Sequence, residues 1–180
     1  MSLEVVIGPM FSGKTSYAIS YIRKQTAIGK KVLVIKPNID DRYSNENIIV
    51  SHDGVTSVCE IWNVNESLSG IQNISDYDCI VIEEAQFFKG LRYACHEYLF
   101  ELKKDILVVG LSSDSTQTRF GDIIYVIPFA TKVTKLSALC SVCKDGTLAH
   151  FTKRKVYDED ENQIDVGGED KYIAVCLRHL

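Results

Sequence analysis

Along most of the chain, short unbroken apolar runs alternate with segments whose apolar positions recur every three or four residues. Leu3 to Ile7 predicts a strand that stops at Gly8. Thr15 to Ile28 predicts a helix, because Ala18, Ile19, Ile22 and Ala27 fall on one side. Gly29 then stands where a helix-ending glycine belongs. Lys31 to Lys36 predicts a second strand, and Cys79 to Ile82 a third that runs into Glu83 and Glu84. Phe88 to Lys104 predicts the next helix, with Leu91, Cys95, Tyr98, Leu99 and Leu102 at helical spacing. Ile106 to Leu111 predicts a fourth strand and Ile123 to Ile127 a fifth, while Ile48 to Val58 suits a hairpin. β-branched runs separated by helices imply an α/β fold, a mostly parallel sheet with helices on both faces.

Near Leu136 the pattern changes. Residues 136–180 hold three of the six cysteines and an acidic run, Asp158 to Glu161, with no helix-length apolar period. The expected organisation is an α/β nucleotide-binding domain over residues 1–135 and a small loop-rich module over 136–180.

With 180 residues, 46% hydrophobic and 24% charged, the chain has enough apolar material for a core and is not disordered in the main. No apolar run reaches the ~18 residues of a membrane span. The start, MSLEVVIG, lacks the basic region of a secretory signal. A net charge of −4 and no basic cluster longer than Lys153-Arg154-Lys155 count against nucleic acid as a partner. Six cysteines without a signal point to a reducing, cytoplasmic setting rather than a disulfide scaffold.

Three constellations carry chemistry. Gly8-Pro9-Met10-Phe11-Ser12-Gly13-Lys14-Thr15 fits the phosphate-loop pattern between a strand and a helix. The glycines let successive N–H groups face phosphate oxygens, and the helix presents its positive end to the same anion. Lys14 supplies a charge for the β- and γ-phosphates, and Thr15 a hydroxyl for Mg²⁺. Glu83 and Glu84 follow the third strand, at the sheet edge where α/β proteins bind ligands. One carboxylate suits a magnesium shell and the other a proton acceptor, and side chains alternating along a strand would separate the two. Cys140-x-x-Cys143 and Cys176-x-x-His179 make a Cys₃His set with no position left for a reactant, which predicts structural zinc. Cys59, Cys79 and Cys95 lack such spacing and read as buried hydrophobes.

The chain resembles the thymidine kinases of the cellular and poxvirus type over roughly residues 4–179. The resemblance rests on GPMFSGKT, Asp41-Arg42-Tyr43, Ser51-His52-Asp53, Glu84-x-Gln86-Phe87-Phe88, Lys135-Leu136-x-Ala138-x-Cys140 and Gly167-Gly168-x-Asp170-x-Tyr172, in that order. It implies a RecA-like P-loop fold with a zinc-binding lasso that covers the nucleoside. It also implies transfer of the ATP γ-phosphate to the 5′-hydroxyl of thymidine, as deoxynucleoside salvage for DNA synthesis. By the same resemblance Glu84 is the catalytic base, Thr15 and Glu83 attend Mg²⁺, and Met10, Phe87, Leu136, Gly168 and Tyr172 meet the substrate. A cytoplasmic homotetramer inhibited by thymidine triphosphate is implied as well.

The chain departs from the family pattern in three places. Glu83 stands where an aspartate is usual, the stretch from Gly110 to Gly121 has fewer basic residues, and the loop from Lys144 to His150 is longer and lacks an aromatic. The competing reading is a zinc-ribbon P-loop ATPase acting on nucleic acid, which shares the three constellations but sits poorly with the acidic charge.

Overall fold

The computed structural model describes residues 1–39, 47–51, 53–156 and 163–180. Asp41, Arg42, Tyr43, His52 and the acidic run of 158–161 lie outside the described residues.

Six strands form the central sheet: β1 (Ser2–Ile7), β2 (Val32–Pro37), β5 (Glu60–Trp62), β6 (Cys79–Ile82), β7 (Asp105–Gly110) and β8 (Lys132–Lys135). Their order is β5-β2-β6-β7-β1-β8, and every pairing is parallel. Successive side chains on a strand face opposite ways, so each central strand feeds two layers. Leu3, Val5 and Ile7 join Leu33, Ile80, Ile106 and Val108 on one face. That face is covered by α2 (Leu91–His96), whose helix continues through a wider π-type turn over Glu97–Glu101. Val6, Val34, Val81, Leu107 and Val109 line the other face. There Ala18, Ile19 and Ile22 of α1 (Lys14–Ala27) cover it, with Ile49 of the hairpin β3 (Ile48–Val50) and β4 (Thr56–Val58).

Two expectations change, and one strand was not foreseen. The second helix starts at Leu91 rather than Phe88, because Gly90 takes a left-handed turn with φ 69° and Phe88 remains extended, though buried. The apolar run expected as a fifth strand is a 3₁₀ helix over Ile123–Phe129. Ile123 and Val126 are its buried residues, and the three-residue repeat of a 3₁₀ helix aligns them on one side. The strand that closes this side of the sheet is instead β8, whose largely exposed KVTK gives no apolar signal because it is an edge. β5, the opposite edge, is shorter still, with Glu60 exposed and Ile61 and Trp62 half-buried.

The remaining strands form two antiparallel ribbons, β9 (Ala138–Leu139) with β10 (Leu148–Ala149) and β11 (Phe151–Arg154) with β12 (Tyr172–Val175). Ala138, Cys140, Ala149, Ala174, Val175 and Cys176 form a small core of their own, and Phe11 of the loop after β1 packs against it. In the described residues no helix is long and apolar enough to cross a membrane.

Candidate active site

In a parallel sheet all strands end at the same edge. Ile7, Ile82 and Gly110 end β1, β6 and β7, and the segments that follow them build the site. After β1, residues 8–15 turn back into α1. Gly8 is needed because a Cβ there would lie 2.8 Å from the Leu136 carbonyl oxygen. Gly13 takes φ 79° immediately before the helix. Lys14 is only 9% exposed, and its Nζ donates to the Pro9 carbonyl at 2.7 Å. Ser12 Oγ donates to the same oxygen at 2.8 Å. The Met10 N–H donates to Thr152 Oγ1 at 3.0 Å, which ties this loop to β11.

The acidic pair lies just past the end of β6, so strand alternation does not separate the two side chains. A turn does: Glu84 sits in the left-handed region at φ 48° and ψ 45°. Glu83 is 3% exposed and accepts a hydrogen bond from Thr15 Oγ1 at 2.5 Å. Its extra methylene therefore reaches across to the start of α1. Glu84 accepts from Gln86 Nε2 at 2.6 Å, and Gln86 Oε1 accepts the Leu111 N–H at 2.9 Å.

Glu84 opens on a cavity whose apolar walls are Met10, Phe87, Leu111, Phe120 and Tyr172. The Phe87 and Phe120 rings meet edge to face, 5.4 Å between centroids. The cavity thus gathers Met10, Glu84, Phe87 and Tyr172 of the residues the sequence singled out. Leu136 lies beside Gly8 instead, its N–H bonded to the Ile7 carbonyl. Gly168 is not on the wall, which Gly167 lines; its N–H donates to Asp170 Oδ1 at 2.9 Å.

Asp165, also on the wall, was not singled out. It pairs with Arg154 Nη2 at 2.8 Å and Lys171 Nζ at 2.5 Å, and its carbonyl accepts from the Tyr172 hydroxyl at 2.7 Å. The signal for it was faint: an acid two residues before the glycine pair. Phe120 and Leu111 were legible only as apolar residues near the end of the fourth strand.

The Cys140, Cys143, Cys176 and His179 ligand atoms all lie within 4.8 Å of one another. Cys143 Sγ and Cys176 Sγ are 3.8 Å apart, and His179 Nδ1 lies 3.6, 3.4 and 3.4 Å from the sulfurs of Cys140, Cys143 and Cys176. A tetrahedral zinc with ordinary bond lengths separates sulfurs by about 3.8 Å and sulfur from nitrogen by about 3.5 Å. The four residues thus fit that ion. Burial opposes a charged Cys140 thiolate, but N–H groups of Cys143, Cys176 and Val142 aimed at its sulfur outweigh it and lower its pKa. Hard oxygen donors, the Thr15 hydroxyl and the Glu83 carboxylate, make a different set beside the phosphate loop, suited to Mg²⁺.

The family model described as thymidine kinase matches residues 1–180. Thymidine kinase a of Arabidopsis thaliana is 36% identical over 183 aligned positions, covering 99% of this chain and 74% of the plant protein. The thymidine kinase of Amsacta moorei entomopoxvirus is 38% identical, over 98% of this chain and 96% of its own length. That of Mesomycoplasma hyopneumoniae strain 7448 is 35% identical, over 97% and 92%. A match that spans the chain, and so takes in the phosphate loop, the acidic pair and the Cys₃His cluster, shows that the chain belongs to the thymidine kinase family.

Proposed function

We propose that the protein transfers the γ-phosphate of ATP to the 5′-hydroxyl of thymidine, giving thymidine monophosphate and ADP. The observation that supports this most is that Met10, from the phosphate loop, and Glu84 border one cavity roofed by residues of the C-terminal ribbons.

In this reading the ATP phosphates lie on the N–H groups of residues 8–15. Lys14 exchanges the Pro9 carbonyl for a phosphate oxygen. Thr15 and Glu83 would hold the Mg²⁺, which when bound with ATP offsets charge on the β- and γ-phosphates. The base and sugar lie among Phe87, Phe120 and Tyr172. Glu84 accepts the 5′-hydroxyl proton as the new oxygen–phosphorus bond forms and the bond to ADP breaks. The Cys₃His cluster would hold a structural zinc that braces the ribbons over the nucleoside, keeping water from the phosphoryl group. Family membership also supports tetramer assembly, end-product inhibition by thymidine triphosphate and a cytoplasmic location as parts of this reading.

Product chromatography after incubation with MgATP and each common deoxynucleoside tests the proposal. It expects thymidine monophosphate as the dominant product, with little ATP hydrolysis when nucleoside is omitted. ATP turnover that rises with DNA or RNA and yields no nucleoside monophosphate would favour the nucleic-acid ATPase instead.

A further inference from the structure

We propose that Gln86 is a positioning residue: its side-chain amide holds the Glu84 carboxylate ionised and fixed at the cavity wall, braced against the end of β7. This deepens the reading above and rests on Glu84 being the base.

Gln86 is 3% exposed, so both ends of its amide must be satisfied within the protein. The Leu111 main chain can only donate at its nitrogen, and it does so to Gln86 Oε1 at 2.9 Å. That fixes which end of the amide is oxygen and turns the NH₂ toward Glu84 Oε2, 2.6 Å away. The donor of a buried glutamine is thus spent on a carboxylate that faces the cavity. An N–H donor aimed at a carboxylate favours its ionised form, the form a base needs. It also restrains a side chain that would otherwise lose conformational freedom at each turnover.

The surroundings are built to admit this amide. A Cβ on Gly110, the last residue of β7, would collide with Gln86 Oε1. A Cβ on Gly121 would collide with the Gln86 carbonyl oxygen, and Gly121 also takes φ 60°. Two glycines from the strand end and the following loop therefore close tightly around one residue. Glu84 itself is held at φ 48°, an uncommon backbone state that aims its side chain at Gln86 and the cavity. Among the described residues, the other ionisable groups around the cavity are Asp114 after β7 and Asp165 and Tyr172 from the C-terminal ribbons, with Glu83 preceding in the chain.

Gln86→Glu gives the test. It keeps an acceptor for Leu111 but sets a second carboxyl against Glu84, so the pair shares a proton at higher pH. The acid limb of the kcat–pH profile should move up by about one unit or more. For a one-unit move, turnover at the wild-type midpoint then falls about fivefold and returns toward wild type as pH rises, while the KM for thymidine stays within about threefold. A defect of folding alone is not repaired by raising the pH. Gln86→Met removes the donor at nearly constant length, and its expected result is about a tenfold loss of kcat at unchanged KM. An unshifted profile in folded Gln86→Glu overturns the inference, as does near wild-type kcat in Gln86→Met. Glu84→Gln is measured alongside. If it retains turnover, the base assignment falls and takes Gln86 with it. If it loses turnover while the Gln86 variants behave as wild type, only the role of Gln86 falls.

Discussion

The sheet body and the C-terminal ribbons both wall the cavity, yet they are held together differently. In the body, large side chains such as Leu3, Ile80, Leu107 and Phe88 are fully or almost fully buried in two layers. Each contributes about 1.5–3 kcal/mol by leaving water. The ribbon core is mostly alanine and cysteine: Ala138, Ala149, Ala174, Cys140 and Cys176, with Val175. Side chains that small bury little apolar area, and a zinc ion on the four ligands would fill the gap. Structural zinc in small peptides contributes about 10–16 kcal/mol to folding. The comparison separates two duties: the body brings the phosphate loop and the acidic pair by ordinary packing, whereas under the proposed function the ribbons over the nucleoside would depend on a metal held by the four ligands.

Removing the metal is the harshest way to break that comparison. Chelation, or Cys140→Ser, should abolish thymidine turnover and strip the protein of zinc, while far-ultraviolet circular dichroism keeps the signal of the α/β body. Zinc content equal to wild type in Cys140→Ser would remove Cys140 from the ligand set. Next in size is Glu84→Gln, where turnover should fall by about 10²- to 10⁴-fold with thymidine still bound; single-turnover rates beside a binding titration read both.

A smaller effect is expected at Asp165, whose carboxylate holds the ribbon segment to Arg154 and Lys171 at the cavity wall. Asp165→Asn should weaken that attachment by about 1 kcal/mol, since the carboxylate is partly solvated. The thymidine KM then rises roughly fivefold with kcat little changed. An equal fall in kcat and kcat/KM would instead place Asp165 in the chemical step.

The smallest effect belongs to the body alone. Burial opposes the charge on Glu4, but hydrogen bonds from Lys132 and Tyr17 outweigh it and hold its pKa below the ordinary 4.5. Burial likewise opposes the charge on Asp105, and hydrogen bonds from Lys30 and Ser2 hold it below 3.8. Carboxyls lowered in the folded state stabilise it above their ordinary values, and that contribution is lost as pH falls through the lowered ones. The urea midpoint should therefore drop between pH 5 and about pH 3, less so in Glu4→Gln/Asp105→Asn. An identical pH dependence in the double variant would contradict this assignment.

What could be read in advance was what is local in the chain. The strands β1, β2, β6 and β7 are continuous apolar runs because both their faces are covered, and the phosphate loop and the Cys/His pairs are fixed spacings. β8 escaped notice because an edge strand needs no apolar signal, and Ile123 to Ile127 misled because a buried 3₁₀ segment is as apolar as a strand. In the site, the bond from Leu111 to Gln86 spans 25 positions and that from Met10 to Thr152 spans 142, so no local pattern announces either. Leu136 was singled out by resemblance as meeting the substrate; the structure places it beside Gly8, a contact between residues 128 positions apart that no local pattern announces.

The division of duties can be measured directly by calorimetric titration of zinc-free Cys140→Ser with ATP and, separately, with thymidine. The account predicts that ATP binding persists within a few fold while thymidine binding is lost. Thymidine binding at wild-type affinity in the zinc-free protein would contradict it, because the nucleoside site would then not depend on the metal-held cover.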